Sequence, residues 1–455
     1  MSHRRAAILS IGDELTLGQT LDTNSRYLSQ QLVDHGIIPI CHLTVPDDQP
    51  AIVRALRDLS RAADLILTTG GLGPTADDLT RQALADALAE PLVEDPESLD
   101  AIVRRFRAAG RDMPPINRVQ ALRPRSAQAI PNPHGTAPGL CAQLRPPANH
   151  SSLPTSDPPR AHESRLVDVF CLPGPPHEMK PMFETAVCPR LRSDRIVRTL
   201  AVHTFGIGES DLAARLGDLM DRARTPTVGT TASRGVVSCR IRAEGETDSG
   251  AAASLERAVA ETGERVRALA APYVFGEGDE TLAGAVVALL RASGERVAVA
   301  ESCTGGLLGE MLTRVPGASA AVVGGWITYS NERKSADLGV SAALLARVGA
   351  VSREVAEAMA TGARARAGVE HALAITGIAG PEGGSEAKPV GTVWIARASG
   401  PGRGGSAAEV ETRRFAFTGM SREVVREWSA MCALGMLRFA LVGASGASLI
   451  RERER

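Results

Sequence analysis

Lysine is scarce in this chain of 455 residues, and the few lysines present are the first candidates for chemistry. Only three of the 51 basic residues are lysines, namely Lys180, Lys334 and Lys388, and the other 48 are arginines. An ammonium group can lose its proton near neutral pH, whereas a guanidinium cannot. A lysine retained against this bias can therefore serve as a base, the alternative being chance survival on the surface.

One of these lysines lies near a tyrosine and can be combined with a serine. Lys334 follows Tyr329 by five residues in GGWITYSNERK, and Ser302 lies in ESCTGG. A lysine in a closed pocket favours its neutral amine, which can accept a serine proton directly or through a tyrosine. Serine, tyrosine and lysine thus form a possible hydrolytic site without histidine, and arginine could not replace the lysine.

Two glycine-containing loops in the same region follow predicted strands. The first, from Ser302 through Thr304, Gly305 and Gly306, lies between a predicted strand at 296–300 and a predicted helix at 307–314. Free N–H groups and the dipole at a helix start favour a phosphate or an oxyanion there. Alternatively, Ser302 or Thr304 caps the helix. The second loop, 376–381, follows a predicted strand at 371–375.

The first part of the chain alternates short apolar runs with amphipathic stretches, which predicts a parallel sheet with crossover helices. Two polar loops follow predicted strands and could contact one ligand. They comprise Gly12, Asp13 and Glu14, and then Gly70, Gly71, Gly73 and Thr75.

Asp77 and Asp78 follow the second loop and suit a hard divalent cation that bridges pyrophosphate oxygens. Asp13, Glu14, Asp47 and Asp48 could add oxygen ligands. Alternatively, Asp77 or Asp78 caps the next helix, predicted at 79–88.

Composition restricts the class of protein. The length suggests about three domains, and 44% apolar residues suffice for buried cores. A net charge of −1 without basic blocks argues against nucleic-acid binding. The seven cysteines are widely spaced, which indicates neither disulfides nor a zinc site. Without a long apolar run or a signal peptide, we expect a soluble cytoplasmic protein with no membrane partner.

Organisation along the chain indicates three α/β domains and an insertion. The stretch 145–165 is rich in proline and without apolar periodicity, so we expect it to be disordered. A small α+β module follows, and a new domain begins with a helix at Asp279. The C-terminal RERER is expected to be a frayed helix end.

Several sequence blocks resemble the CinA (competence/damage-inducible) family. The C-terminal blocks are AESCTGG, GGWITYSNERK and TGIAGPEGG, and the N-terminal blocks include TTGGLGPTADDLT and LPGPPHEMKPMF. The resemblance implies a MoaB/MogA-like three-layer α/β domain at 1–184, a KH-like α+β module at 185–277 and an α/β amidase domain at 278–447.

The resemblance also implies chemistry for the C-terminal domain. It implies hydrolysis of nicotinamide mononucleotide to nicotinic acid mononucleotide and ammonia, without a cofactor. Ser302 would be the nucleophile, Lys334 its base and Tyr329 a proton relay or an orienting hydroxyl. Substrate contacts are expected from Thr304, Gly305, Gly306, Thr376, Gly377, Gly380 and Lys388. For Lys388, a phosphate contact and a solvated surface role are both open.

For the N-terminal domain, the resemblance implies a metal-dependent ADP-ribose pyrophosphatase. Asn24 would contact the nucleotide, and Asp77 and Asp78 would hold the metal. The partners would then be small nucleotides, with the protein a homodimer. Two rival functions are a pterin-binding scaffold of the molybdenum-cofactor type and a non-enzymatic competence-associated protein.

Overall fold

The computed structural model describes residues 2–147, 166–247, 250–400 and 409–453. The chain forms two compact units, of which the first comprises Met1–Arg198 and Glu244–Glu256, and the second Thr199–Ala243 and Arg257–Arg455. The predicted insertion at 145–165 lies outside the described residues from position 148 onward.

The first unit begins with alternating strands and helices, as the sequence pattern predicts. In chain order its elements are β1 (Arg5–Ile11), α1 (Asp13–Thr16), α2 (Thr23–Asp34), β2 (Ile38–Val45), α3 (Gln49–Ala62), β3 (Leu65–Thr69), α4 (Thr80–Leu88), β4 (Leu92–Glu94), α5 (Pro96–Ala108), β5 (Leu122–Pro124), β6 (Gln128–Ile130), β7 (Gly139–Leu144), β8 (Val167–Leu172) and α6 (Pro176–Met182).

Six of these strands form one sheet in the order β2-β1-β3-β8-β7-β6. The first four strands are parallel, whereas β7 and β6 run antiparallel. The parallel sheet predicted from the alternating pattern is thus found in β2, β1 and β3, and antiparallel strands extend the sheet at the β7–β6 edge. A hairpin needs only a short turn, so β6, β7 and β8 pair without crossover helices.

Both faces of this sheet are covered, because alternate residues of each strand point to opposite sides. Leu9 packs with residues of α3 and α4 in one buried cluster, and Ile8 packs with residues of α2 and α6 in another. The predicted three-layer α/β architecture is confirmed.

The middle of the chain, most of which belongs to the second unit, forms a small α+β region. Its elements are β9 (Arg195–Phe205), α7 (Glu209–Leu216), β10 (Thr227–Ser233), β11 (Val236–Glu246), α8 (Ala251–Ala270) and β12 (Val274–Glu277). The four strands form a sheet in the order β10-β11-β9-β12. This arrangement agrees with the predicted α+β module.

The remaining elements build a second α/β sheet. They are α9 (Leu282–Ser293), β13 (Val297–Glu301), α10 (Leu307–Thr313), β14 (Val322–Ile327), α11 (Asn331–Leu338), α12 (Ala342–Val348), α13 (Arg353–Ala367), β15 (His371–Gly377), β16 (Thr392–Ser399), β17 (Glu409–Ala416), α14 (Arg422–Leu441) and β18 (Glu452–Arg453). The sheet order is β14-β13-β15-β16-β17-β18. Only β14, β13 and β15 are parallel.

Two predicted boundaries in this region are wrong. Helix α9 begins at Leu282 rather than at Asp279, because the Thr281 side chain accepts the Gly284 N–H as an N-cap. The charged tail is not a helix end, since Glu452 and Arg453 pair with β17 as a strand. None of the helices in the described ranges is long and apolar enough to span a membrane.

Strand order places the glycine loops in pairs. Strands β1 and β3 are parallel neighbours, and so are β13 and β15. Loops at the carboxyl ends of neighbouring parallel strands meet at one edge of a sheet. Each unit thus carries one such loop pair.

Candidate functional site

A buried lysine contacts a buried serine at the loop edge of the C-terminal sheet. Lys334 Nζ lies 3.0 Å from Ser302 Oγ, and also donates to the backbone oxygens of Thr328 at 2.8 Å and Tyr329 at 3.2 Å. Lys334 is 1% exposed and Ser302 is 9% exposed. The structure therefore brings together two residues that lie 32 positions apart in sequence.

The three partners of Lys334 determine how its amine is oriented. Carbonyl oxygens can only accept hydrogen bonds, so a neutral amine must direct its two N–H groups to Thr328 O and Tyr329 O. Its lone pair then faces Ser302 Oγ, where it can accept the hydroxyl proton. Burial lowers the pKa of Lys334, which favours this neutral form.

Local sequence explains why Lys334 points at this position. The Ser330 side chain accepts the N–H of Arg333 and starts helix α11, which places Lys334 in the first turn. The N–H of Thr328 donates to Glu301 O at 2.8 Å and holds the chain beside the end of β13. The carbonyls that orient the amine are thereby fixed next to the serine turn.

The adjacent Cys303 does not compete with Ser302 as a nucleophile. Burial raises the pKa of the Cys303 thiol to about 12, so the thiol stays protonated near neutral pH. Of the two neighbouring residues, only Ser302 has a base in contact with it.

Helix α10 begins differently from either prediction. Its N-cap is Gly306, without a side-chain cap bond, so neither Ser302 nor Thr304 caps it. The Glu301 carboxylate instead accepts the N–H groups of Gly306, Leu308 and Gly309. The predicted anion site at this helix start is thus filled by the protein's own carboxylate.

The turn that follows Ser302 still offers two backbone donors. The N–H of Gly305 donates to Ser302 O, and that of Ser302 donates to Ile375 O. Among the described residues, the N–H groups of Cys303 and Thr304 have no hydrogen bond to another residue. Thr304 is fully buried, so within the 303–306 loop the predicted oxyanion role depends on the N–H of Cys303.

The glycines of the turn are required by backbone conformation. Gly305 and Gly306 have φ values of 59° and 96°, in the left-handed region that favours glycine. Thr304 is fully buried, and its hydroxyl has no partner within the described part of the chain. Thr304 is therefore closed to solvent, and a substrate contact through its hydroxyl has no support.

The hydroxyl of Tyr329 does not lie between Ser302 and Lys334. It accepts a hydrogen bond from Arg422 at 3.0 Å, and the Tyr329 side chain is 61% exposed. The Tyr329 hydroxyl is therefore not in the position expected of a proton relay, because Lys334 Nζ contacts Ser302 Oγ directly. What Tyr329 contributes to the lysine is its backbone oxygen.

Two arginines at the start of α14 flank the turn and escaped the sequence prediction. Arg422 donates to Gly380 O at 2.7 Å and to the Tyr329 hydroxyl, and Arg426 donates to Thr304 O at 2.7 Å. Because 48 of the 51 basic residues of this chain are arginines, the residue type alone did not mark these two as site residues. Their charges make this edge of the sheet attractive to anions.

The remaining predicted substrate residues lie in two loops. Thr376 is buried and donates to Ala350 O, and Gly377 ends β15 beside Ser302. Lys388 donates to Val348 O at 2.9 Å, at the end of α12. This contact caps a helix C-terminus and leaves the phosphate role of Lys388 without support.

The first unit contains a cavity of about 520 Å³ at its own loop edge. Ten residues predicted from sequence line it: Gly12, Glu14, Asn24, Asp47, Gly70, Gly71, Gly73, Thr75, Asp77 and Asp78. Gly70 must be glycine, because a Cβ there would lie 2.1 Å from Ile11 O. Seven other polar lining residues were not predicted, namely Thr20, Asp22, Thr23, Thr69, Gln120, Thr136 and Glu178.

Asp13 is a predicted site residue that does not line this cavity. The N–H of Asp13 donates to the Asp47 carboxylate at 2.9 Å, and the N–H of Asp47 donates to the Asp13 carboxylate at 3.2 Å. Asp47 does line the cavity, whereas Asp48 caps helix α3. Asp13 therefore fixes the position of Asp47.

Asp77 and Asp78, which were predicted to hold a metal, make different contacts in the structure. Asp78 accepts the N–H groups of Gly73 at 2.7 Å and Thr75 at 2.8 Å, so it organises the loop and caps no helix. Asp77 is exposed, and the hydroxyl of Thr75 lowers its pKa. Asp78 thus organises the loop as well as lining the cavity, and the metal role of Asp77 and Asp78 stays a prediction.

The carboxylates that line the cavity suit a cation that is bound in part by the phosphate oxygens of a substrate. No group of three or more His, Cys, Asp or Glu residues in the described ranges could hold a metal by itself. Burial raises the pKa of Asp47, and the charges of Asp13, Glu14 and Asp77 raise it further. Mg²⁺ is commonly held by one or two carboxylates with substrate phosphates, which fits this set.

Asn24 has a fixed orientation at the wall of the cavity. Its side-chain nitrogen donates to Gly174 O at 2.7 Å and to Thr69 Oγ1 at 2.9 Å. Because Gly174 O can only accept, the opposite atom must be the amide oxygen, which has no partner within the described residues. A ligand hydroxyl or amine could satisfy it.

The fold and site define a multidomain α/β protein with a serine–lysine pair in one unit and a polar nucleotide-sized cavity in the other. Matches to family models cover the CinA C-terminal domain at residues 279–441, the CinA KH domain at 199–276 and a probable molybdopterin binding domain at 7–193. The chain belongs to the CinA family.

Full-length relatives support this assignment. A CinA-like protein of Geobacter metallireducens is 42% identical over 443 residues, which cover 96% of this chain and 99% of the relative. A putative competence-damage inducible protein of Moorella thermoacetica is 40% identical over 437 residues, covering 95% and 98%. Among solved structures, the competence/damage inducible protein CihA from Agrobacterium tumefaciens shows 41% identity, a TM-score of 0.33, and coverage of 35% of this chain and 93% of that one.

Proposed function

We propose that the C-terminal domain hydrolyses the carboxamide of nicotinamide mononucleotide to a carboxylate and ammonia. The observation that carries this proposal is the Lys334–Ser302 contact, in which two carbonyls direct the amine lone pair at the serine hydroxyl. The resemblance to the amidase of the CinA family supplies the substrate.

The proposed reaction uses Ser302 as the nucleophile and Lys334 as the base and then as the acid. Lys334 accepts the Ser302 proton as Oγ forms a bond to the carboxamide carbon. The carbonyl oxygen becomes an oxyanion to which the N–H of Cys303, in the residue next to the nucleophile, would donate. The protonated lysine then donates to the leaving nitrogen, the C–N bond breaks and ammonia departs. Water attacks the acyl-enzyme with Lys334 as base, which restores Ser302.

Charge at the site supports a substrate that carries a phosphate. Arg422 and Arg426 donate to oxygens on either side of the serine turn, and guanidinium groups bind phosphate oxygens well. We therefore assign the phosphate of the mononucleotide to this side of the site, and not to Lys388.

The decisive experiment measures ammonia release from nicotinamide mononucleotide by the purified full-length protein. Ser302→Ala should lower kcat by at least about 10³-fold, as expected when a nucleophile is removed. Lys334→Arg should be equally inactive, because a guanidinium keeps the charge but cannot accept a proton.

Lys180→Arg is the matched control. Lys180 lies over the ring of Tyr27 in the other unit, so the same replacement there should leave amidase activity unchanged. Full activity in Lys334→Arg would contradict the assignment of the base. Absence of ammonia from the wild-type protein would refute the amidase itself.

We further propose that the first unit hydrolyses ADP-ribose with a divalent cation. The cavity of about 520 Å³ lies among glycine loops and free carboxylates, which suits a pyrophosphate with its metal. When bound, the cation would neutralise phosphate charge, and one or two of the carboxylates of Asp47, Asp77 and Glu14 would hold it together with the phosphate oxygens. Hydrolysis that persists in excess chelator would contradict the metal requirement, and tight binding of a pterin without hydrolysis would favour a scaffold.

A further inference from the structure

Glu301 is a buried carboxylate next to the proposed nucleophile. It ends strand β13, is 1% exposed and carries both side-chain oxygens into the start of α10. Oε2 accepts from Gly306 N at 3.1 Å and Leu308 N at 3.0 Å, and Oε1 accepts from Gly309 N at 2.8 Å. No residue of the hydrolysis scheme above uses this side chain.

The physical consequence concerns the turn between Glu301 and the helix. A helix start has unpaired N–H groups, and a carboxylate that accepts three of them is well stabilised despite its burial. The bond from Gly306 N–H to the Glu301 carboxylate closes a short turn over residues 301–306, and Ser302 is the first residue inside this turn. The carboxylate thereby fixes both ends of the serine turn.

The same residue also acts through its backbone. Glu301 O accepts the N–H of Thr328, and Thr328 O in turn accepts from Lys334 Nζ. Glu301 is therefore bonded to both the segment that carries the nucleophile and the segment that orients the base.

We infer that Glu301 is a positioning residue of the amidase site, one that selects which backbone N–H groups face the reacting carbonyl. By occupying the donors of Gly306, Leu308 and Gly309, it leaves the N–H of Cys303 for the oxyanion. This inference rests on the proposed amidase function.

The test compares Glu301→Gln and Glu301→Ala with Glu310→Gln in the full-length protein. Glutamine keeps the shape of the side chain but presents an N–H₂ group to backbone donors, so at least one of the three bonds is lost. Glu310 is the matched control, because it lies on α10, the helix that Glu301 contacts, and its carboxylate pairs with Arg314 at 2.7 Å on the surface.

Three quantities are measured for each variant: kcat and KM for nicotinamide mononucleotide, amide hydrogen exchange over residues 303–309, and the melting temperature. We expect Glu301→Gln to lower kcat about 10²-fold with KM changed less than about 2-fold, because misplaced oxyanion donors weaken only the transition state. Exchange over the turn should become faster in both Glu301 variants and stay unchanged in Glu310→Gln.

Each other outcome has a definite meaning. Wild-type kcat in Glu301→Gln, or a loss confined to KM, overturns the positioning role while the amidase assignment stands. Failure of both Glu301 variants to fold shows a role in stability alone and also overturns it. If the wild type releases no ammonia, the proposed function fails, and the exchange data still decide whether Glu301 holds the turn.

Discussion

The hydroxyl of Tyr329 accepts a hydrogen bond from Arg422 at 3.0 Å, and Lys334 reaches Ser302 without it. Tyrosine and lysine are separated by five residues, yet their polar groups serve different partners. Two segments that flank the proposed active site, 328–330 and 380–381, are joined through this arginine, because it also donates to Gly380 O.

Tyr329→Phe should therefore retain most amidase activity. Removal of the hydroxyl breaks one bond to an exposed guanidinium, worth about 0.5–1.5 kcal/mol, so kcat/KM should fall by roughly tenfold or less. Steady-state ammonia release measures the effect, with Tyr27→Phe in the first unit as the control. A loss as deep as that of Ser302→Ala would restore the tyrosine to the proton path.

Arg422→Gln should weaken binding of the phosphorylated substrate. A charge-assisted bond contributes about 1.5–3 kcal/mol, so KM for nicotinamide mononucleotide should rise roughly tenfold or more. The phosphate-free nucleoside should be turned over equally by variant and wild type. Arg314→Gln, at an exposed arginine paired with Glu310, is the control. Equal KM changes for both substrates would show that Arg422 acts on loop structure instead.

Both activity and stability should depend on pH through Lys334. Burial lowers the pKa of Lys334 in the folded protein below the unfolded value of about 10.4. The amine must be neutral to accept the Ser302 proton, so kcat/KM should rise with pH through the lowered pKa. Steady-state kcat/KM as a function of pH measures this rise, and Lys334→Met should be inactive at every pH. A wild-type kcat/KM that does not rise with pH would contradict the role of Lys334 as the base.

The direction in which stability changes with pH follows from the number of protons that the folded and unfolded chains bind at Lys334. Between the folded and unfolded pKa values the unfolded chain binds a proton that the folded chain lacks, so the free energy of unfolding rises with pH in that window. Relative to Lys334→Met, the wild type should gain about 1.4 kcal/mol for each pH unit by which the pKa is lowered. Urea unfolding from about pH 7 to 10 measures the gain. A difference that stays constant with pH would contradict the lowered pKa.

Asp77 and Asp78 should respond differently to the same replacement. Asp78→Asn places an N–H₂ group against backbone donors of the loop, which should lower the free energy of unfolding of the first unit by about 1–3 kcal/mol. Asp77→Asn should leave stability unchanged and weaken the metal dependence of ADP-ribose hydrolysis. Each variant is the control for the other, and amidase activity should survive in both. Destabilisation by Asp77→Asn alone would reverse these roles.

Ser302 and Lys334 could be recognised as candidates from the sequence because their signal is chemical and local. A rare lysine and a serine before two glycines can be recognised wherever they lie, and apolar periodicity then placed them at strand and helix ends. The predicted strand at 296–300 and the predicted helix at 307–314 agree with β13 and α10 to within one residue at each end. Such patterns depend on neighbouring residues alone.

The sequence by itself determined the family, the alternating α/β architecture and the identity of Ser302 and Lys334 as candidates. Tertiary structure decided the rest: that Glu301 and not Ser302 or Thr304 satisfies helix α10, that Tyr329 bonds Arg422, and that Asp78 holds a loop. These roles depend on which donor lies within about 3 Å of which acceptor. Distances between residues far apart in the chain, such as the 93 positions from Tyr329 to Arg422, are set by packing of whole strands and helices.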